Sequence, residues 1–268
     1  MANNNTRARK LFRTHSIKLR STQASRLLLK SATVLLFAFA LASHANDVCA
    51  KGKRRPPSAG GAAVVVDERL SALRDAPALS ANLLQRLGRG RYVSVTGERR
   101  TRDGLTFLRV AVTSRTSGWI QSEALARPSR VGEDARLLRL IKGSEEFDQL
   151  ARAEIFLEAF PRSTFRPAVL LIFGDAAEAS AARLTREAAR RLDAREMEAG
   201  GAPVSSYFQN YNGLDRYRRQ GVVFDFDPAT KQFRYDGAAW REILRRYPRS
   251  PEASEAQARL KRTAPATH

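Results

Sequence analysis

The chain has 268 residues, which is long enough for two modest domains with cores of their own. It carries 47 Lys and Arg against 27 Asp and Glu, a formal net charge of +20. Residues 1–45 hold eight of the basic residues and none of the acidic ones, so the rest carries 39 basic and 27 acidic side chains, a net of +12. The single cysteine, Cys49, excludes an internal disulfide and a cluster of metal-binding thiolates.

Residues 1–45 have the pattern of a signal peptide. A basic stretch at residues 1–30 precedes an apolar run at residues 32–42, which is followed by two candidate cleavage sites with small residues, Ser43-His44-Ala45 and Val48-Cys49-Ala50. A membrane-spanning helix needs about 20 apolar residues, so this run is short for one. An uncleaved hydrophobic anchor is the alternative. We expect the protein to be exported to the periplasm or cell envelope.

A basic and flexible linker is predicted at residues 46–63. It contains Pro-Pro and Gly-Gly pairs and four positive charges, at Lys51, Lys53, Arg54 and Arg55. These charges suit an acidic cell-wall polymer or anionic lipid, and a solvated spacer is the alternative. We expect membrane contact only through the leader or this linker.

Residues 64–127 predict a small antiparallel β-barrel. Short runs rich in β-branched and aromatic residues alternate with turns such as Gly88-Arg89-Gly90 and Arg102-Asp103-Gly104. Closing such a sheet into a barrel removes its exposed edges. The predicted strands occupy residues 64–66, 91–95, 105–112 and 118–120.

Three motifs in this part resemble a bacterial SH3-like (SH3b) domain. Residues 70–77 resemble the family's Leu-x-x-Arg-x-x-Pro element, and residues 87–95 resemble its Gly-x-x-Val/Tyr-Val turn. Gly118-Trp119-Ile120, followed by Leu125, resembles its closing Gly-Trp-Val/Ile. The polar residues 96–103 depart from the family pattern and leave the position of a binding groove open.

The resemblance implies a barrel that binds cell-wall material or a peptide. Its candidate ligand contacts are the aromatic side chains of Tyr92, Phe107 and Trp119. Trp119 suits a core position as well as a ligand contact. A spacer without a ligand remains an alternative for the whole barrel.

Residues 131–263 predict a helical domain, with residues 264–268 as a tail. Apolar residues recur at helical spacing throughout this part. Pro161 ends one helix because proline cannot continue the hydrogen-bond ladder, and Ser163-Thr164 can cap the next. The predicted helices occupy residues 133–141, 145–160, 165–175 and 185–198, and Gly200-Gly201 closes the last.

One short sequence motif, called the repeated phrase below, occurs twice in the helical part. Residues 157–163 align with residues 244–250, each reading as a helix, a Phe-Pro or Tyr-Pro turn and a Ser-capped helix. This phrase resembles the tetratricopeptide-like repeats of bacterial envelope proteins, although a regular 34-residue spacing is absent. The resemblance implies stacked helical hairpins whose groove binds a protein partner.

A β-hairpin is predicted at residues 222–235, where apolar and polar residues alternate on both sides of Pro228-Ala229-Thr230. Its aromatic neighbourhood is either a packing cluster or a ligand platform. Residues 223–227 resemble the nucleophile motif of haloacid dehalogenases, in which paired aspartates bind magnesium. We reject that activity because fewer than 45 residues follow Asp227, too few for the rest of such a site.

Histidine placement excludes several hydrolases. The three histidines, His15, His44 and His268, lie in the leader or at the last position, so none can serve as a catalytic base or zinc ligand in a rigid core. We therefore expect no cofactor and no metal. Carboxylate-dependent glycosidases need no histidine and stay open. Nucleic acid is not expected as a partner because the arginines are mixed with Glu and Asp instead of forming a dense stripe.

The sequence thus predicts an α+β multidomain protein: a small all-β SH3-like barrel, followed by an α-helical tetratricopeptide-like hairpin array with an inserted β-hairpin. The predicted function is that of a non-enzymatic binding or adaptor protein of the bacterial cell envelope, with peptidoglycan or a protein as partner. The alternative is a carboxylate-dependent cell-wall glycosidase or its accessory subunit.

Overall fold

The structure is a computed structural model and describes residues 61–263. The predicted signal peptide, residues 46–60 of the predicted linker and the tail lie outside the described residues. Within them, an antiparallel sheet comes first and is followed by helices, with a two-stranded sheet between two of the helices. The predicted mixed class is confirmed.

The first sheet has seven strands in the order β3-β2-β6-β5-β4-β1-β7. Its strand pairs are antiparallel, and β3 and β7 are the two end strands. This is the order of an open sheet, so the closed barrel stays a prediction. The strands are β1 Gly61–Val65, β2 Ala72–Arg74, β3 Leu83–Arg86, β4 Tyr92–Arg100, β5 Thr106–Ala111, β6 Ser117–Gln121 and β7 Leu125–Ala126.

Two strands extend by three or more residues beyond their predicted bounds, and β6 extends by one residue at each end. β1 begins at Gly61, three residues before its expected start at residue 64, because Ala63 is fully buried in the core of the sheet. β4 continues to Arg100, so the polar residues 96–103 form the outer part of the β4–β5 hairpin and its turn. Polar side chains suit this part because it is largely exposed to solvent.

The two faces of the sheet differ in what covers them. The inner face packs a core from several strands: Ala63, Val65, Leu73, Leu87, Val93, Leu108, Val110, Val112, Ile120, Ala124 and Leu125. On the outer face, Val64, Val66 and Ala126 belong instead to the core that the helices form. One end of the sheet therefore shares a hydrophobic core with the helical part.

The helices in residues 61–263 surround one long central helix, α3, and none is long and apolar enough to cross a membrane. The two-stranded sheet consists of β8 Phe224–Asp227 and β9 Gln232–Tyr235, as the sequence predicted. The helices are α1 Glu133–Lys142, α2 Glu146–Ala159, α3 Arg166–Arg191, α4 Ala194–Gly200, α5 Val204–Gln209, α6 Asp215–Arg218, α7 Ala238–Arg246 and α8 Glu252–Thr263.

The expected pair of helices at residues 165–175 and 185–198 is wrong. The structure has one helix of 26 residues there, α3, and then the short α4. The residues between the two predicted helices are rich in Ala, the strongest helix former, so nothing interrupts α3. The break comes at Asp193, whose carboxylate accepts hydrogen bonds from the N–H groups of Arg195 and Glu196 and caps α4.

The repeated phrase forms the same turn twice. After α2, the Ser163 N–H donates to the Phe160 carbonyl at 3.2 Å, and after α7 the Ser250 N–H donates to the Tyr247 carbonyl at 3.0 Å. In each case a proline follows the aromatic residue and the next helix starts within a few residues. The local turn is thus repeated, and a regular repeat array stays a prediction.

Arg152 of α2 connects the sheet to the helices. Its side chain is only 3% exposed, and Nε donates to the Val66 carbonyl at 3.1 Å while Nη1 donates to Ser144 Oγ at 2.6 Å. Nη2 lies 3.4 Å from the Asp67 carboxylate. The Arg69 guanidinium donates two hydrogen bonds to that carboxylate and, with Arg152, holds the pKa of Asp67 below its ordinary value.

Candidate functional site: a basic and aromatic face of the sheet

Strand register places Trp119 between two arginines on the outer face of the sheet. Trp119 of β6 pairs with Arg109 of β5 on one side and with Arg74 of β2 on the other. Side chains directly opposite each other in an antiparallel pair lie on the same face. The next residue along β6, Ile120, is fully buried in the inner core, so the Trp119 side chain lies on the outer face. A row Arg109, Trp119, Arg74 therefore crosses three strands.

A second row lies one step along the same face. Phe107 of β5 pairs with Arg99 of β4 and with Gln121 of β6. Phe107 is 1% exposed, so its side chain belongs to this face but does not reach solvent. Arg99 and Arg109 are exposed. Together we call Arg74, Arg99, Arg109 and Trp119, with the buried Phe107, the Trp119 face.

Glycine at position 118 brings β6 close enough to β2 to form this face. A Cβ at Gly118 would lie 2.7 Å from the Arg74 carbonyl oxygen and 2.8 Å from Leu73 Cγ. These distances are shorter than any side-chain Cβ tolerates, so a larger residue would separate the two strands. The Arg74 guanidinium is in turn held by a 2.7 Å hydrogen bond to the Ala81 carbonyl. These contacts position the β6 backbone next to Trp119 and the Arg74 guanidinium.

Most of the positive charge of the Trp119 face is not paired with a carboxylate among the described residues. In residues 61–263, the side chains of Arg99 and Arg109 have neither an ion pair nor a hydrogen bond, and Arg100 and Arg102 in the adjoining hairpin also lack them. Glu98, the nearest acidic residue along β4, is already paired with Arg127 at 3.0 Å. Guanidinium groups bind carboxylates and phosphates through paired hydrogen bonds, and an indole offers a flat apolar surface beside them.

The face continues to an open edge of the sheet at β3. β3 pairs with β2 alone, so its outward N–H and C=O groups have no strand to pair with in the part of the chain that the structure describes. Leu83, which pairs with Arg74, and Leu84 are each 50% exposed, and Leu79 before the strand is 52% exposed. An unpaired edge with exposed apolar side chains is the usual place where an extended segment adds to a sheet.

The opposite end of the sheet is covered. β7 is buried, and its Leu125 carbonyl accepts a hydrogen bond from the Arg136 guanidinium of α1. The Arg127 N–H just beyond β7 donates to the Glu133 carboxylate at 3.1 Å. The two ends of the strand order therefore differ, and only the β3 end combines free backbone groups with exposed leucines among residues 61–263.

The structure brings two of the three predicted ligand residues together. Phe107 and Trp119 lie at diagonal positions of the same face, with Trp119 at the surface and Phe107 buried. Tyr92 lies apart, against the helical core, where burial and the nearby carboxylates of Glu158 and Glu154 raise its pKa to about 12. Tyr92 therefore belongs to the contact between sheet and helices.

Sequence reasoning did not single out the arginines of the face. Arg109 stands between the buried residues Leu108 and Val110, a position that points out of the sheet in an alternating strand. The sequence feature that could have indicated the site is an outward-pointing arginine on a strand next to the one that carries Trp119. The partner on β4, Arg99, needed the strand register, which residues 96–103 do not reveal.

Other candidate chemistry is limited in the described residues. No group of three His, Cys, Asp or Glu side chains in residues 61–263 is placed to hold a metal ion. Asp227 of the dehalogenase-like motif accepts hydrogen bonds from the Thr230 hydroxyl and from the Ala229 N–H, which stabilise the β8–β9 turn and lower the pKa of Asp227. The Trp119 face itself contains no nucleophile and no carboxylate, so its arrangement suits binding.

Comparisons of this chain with protein-family models, with curated proteins and with solved structures found no match.

Proposed function

We propose that this chain is an exported, non-enzymatic binding protein of the bacterial cell envelope. Its sheet holds an acidic cell-wall or peptide ligand on the Trp119 face, and its helical hairpins bind a protein partner. The observation that carries the proposal is that two guanidiniums without an ion pair, Arg99 and Arg109, share one face of the sheet with the half-buried Trp119. The signal-peptide pattern supports export to the cell envelope. The SH3b and tetratricopeptide-like resemblances support the two binding roles.

The ligand chemistry follows from the row of side chains. A stem peptide of peptidoglycan or an acidic protein segment carries carboxylates, which the arginines would pair with, and flat apolar groups, which the indole would cover. Leu83 extends the apolar surface beyond Arg74 towards the β3 edge. An extended ligand running across the strands would contact all of these side chains.

The first experiment is co-sedimentation of the purified full chain with peptidoglycan sacculi over a salt series. Arg109→Gln removes one charge-assisted contact and should weaken retention roughly ten-fold, since such a contact is worth about 1.5–3 kcal/mol. Trp119→Ala should reduce the retention that survives at high salt. Arg245→Gln is the matched control, because Arg245 is an exposed arginine of α7 away from the sheet.

Equal retention of the wild type and both face variants would refute binding at the Trp119 face. Equal losses in Arg109→Gln and Arg245→Gln would mean that net charge alone attracts the protein to the wall. Release of soluble wall fragments during the incubation would instead favour the glycosidase alternative, which no observation in the described residues currently favours.

A further inference from the structure

A second site candidate lies in the helical part, far along the chain from the Trp119 face. A cavity of about 490 Å³ opens between α3, β9 and the end of α8. Ala182 of α3 contributes a short, exposed side chain there, while β9 and α8 form walls on either side. Cavities of this size hold small molecules.

Three arginines reach this cavity from three different elements. Arg186 belongs to α3, Arg234 to β9 and Arg262 to α8. Arg186 and Arg262 are exposed and make no ion pair or hydrogen bond with other residues in 61–263. Arg234 makes a weak ion pair with Asp227, at 3.4 Å. The cavity is therefore lined by guanidinium groups that the protein itself leaves largely uncompensated.

The single carboxylate of the cavity is already in use. Glu178 of α3 accepts a hydrogen bond from the Tyr235 N–H at 3.0 Å, and Thr185, about two turns further along α3, accepts one from the Phe233 N–H at 2.9 Å. These two bonds attach β9 to α3, so two walls of the cavity are fixed before any ligand enters. The backbone positions that carry Arg186 and Arg234 are therefore fixed relative to each other, which removes part of the entropic cost of binding a ligand between them.

We propose that this cavity binds a compact oxyanion with two or more negative charges, such as a phosphate ester or a small di- or tricarboxylate. The guanidiniums of Arg186 on α3 and Arg262 on α8 hold the anionic groups, and Arg234 exchanges Asp227 for the ligand. The proposal concerns a different surface from the Trp119 face and does not depend on wall binding.

The test is isothermal titration calorimetry of the full chain with pyrophosphate and with citrate as probes, at low salt, with acetate as the singly charged comparison. We expect one site that binds the multivalent probes and not acetate. Arg186→Gln and Arg262→Gln should each weaken it at least ten-fold. Glu178→Gln keeps an acceptor for β9 but removes the negative charge, so it should tighten binding at least three-fold.

Arg191→Gln is the matched control, because Arg191 lies on the same helix, is exposed and is nine residues from Ala182, on the opposite face. It should bind the probes like the wild type, and Trp119→Ala should do so as well. The proposal is overturned if neither multivalent probe binds, or if Arg191→Gln weakens binding as much as Arg186→Gln. Pyrophosphate binding without citrate binding would identify a phosphate group as the ligand, and the reverse result a polycarboxylate.

Discussion

Replacing Arg152 by Met should destabilise the protein by about 3 kcal/mol. The substitution keeps an apolar stem of similar length in a site that is 3% exposed, but it removes the donors to the Val66 carbonyl and to Ser144 Oγ. A buried acceptor without a partner costs about 1–3 kcal/mol. Breaking a buried ion pair costs about 3–5 kcal/mol when the remaining charge has no other partner.

The estimate lies at the lower end of that range because Asp67 is not left alone. Its carboxylate still accepts two hydrogen bonds from the Arg69 guanidinium, at 2.7 and 3.0 Å. Three other contacts are lost: the bond to the Val66 carbonyl, the bond to Ser144 Oγ and a 3.6 Å ion pair with Asp148, which is half-exposed and keeps its 2.9 Å ion pair with Arg89. Ser144 keeps one hydrogen bond of its own, to the Leu140 carbonyl.

Urea unfolding of the full chain measures this difference. Trp119 lies on the sheet and Trp240 is buried in the helical core, so fluorescence of single-tryptophan variants reports on each part. Arg139→Met is the control, because Arg139 is an exposed helical arginine and its loss should change the free energy of unfolding by less than about 0.5 kcal/mol. A loss of under about 1 kcal/mol in Arg152→Met would refute the role assigned to this side chain.

Three further changes have defined outcomes. Gly174→Ala should lower the free energy of unfolding by about 1–3 kcal/mol, because its Cβ would lie 2.3 Å from Trp240 Nε1; an unchanged melting temperature would contradict this packing. Thr185→Val removes the acceptor for the Phe233 N–H and should cost about 1–2 kcal/mol in thermal unfolding, with Thr185→Ser restoring most of it. Tyr92→Phe should remove a tyrosinate absorbance step near pH 12: the raised pKa of Tyr92 stabilises the fold below pH 10, and this contribution is lost between pH 10 and 12. Loss of a step near pH 10 would show that Tyr92 is solvated.

Local sequence signals predicted the elements that local chemistry determines. α2 was predicted within one residue at each end, because Pro161 stops it and apolar residues recur along one side. The β8–β9 hairpin followed from alternation on both sides of a turn. β2, β3 and β7 have two to four residues each and were missed, since strands so short are defined by their neighbours and not by their own composition.

The candidate site depends on register, which local patterns do not contain. The irregularity between Val95 and Gly97 shifts the pairing of β4, and this shift brings Arg99 opposite Phe107. Trp119 was found because a Gly-Trp motif is visible in the sequence. Its arginine neighbours come from strands separated by loops, so only the folded sheet shows that they share a face.

The difference between the two ends of the sheet also limits stoichiometry. In residues 61–263, the β7 end is covered by α1 and the β3 end has free backbone groups beside Leu83 and Leu84. A segment that adds at β3 uses the one available end, so a second segment cannot continue the sheet on the other side. If β3 paired with β3 of another copy, the result would be a dimer with twofold symmetry. Its two outer ends would both be covered β7 ends, so the sheet could not grow into a filament.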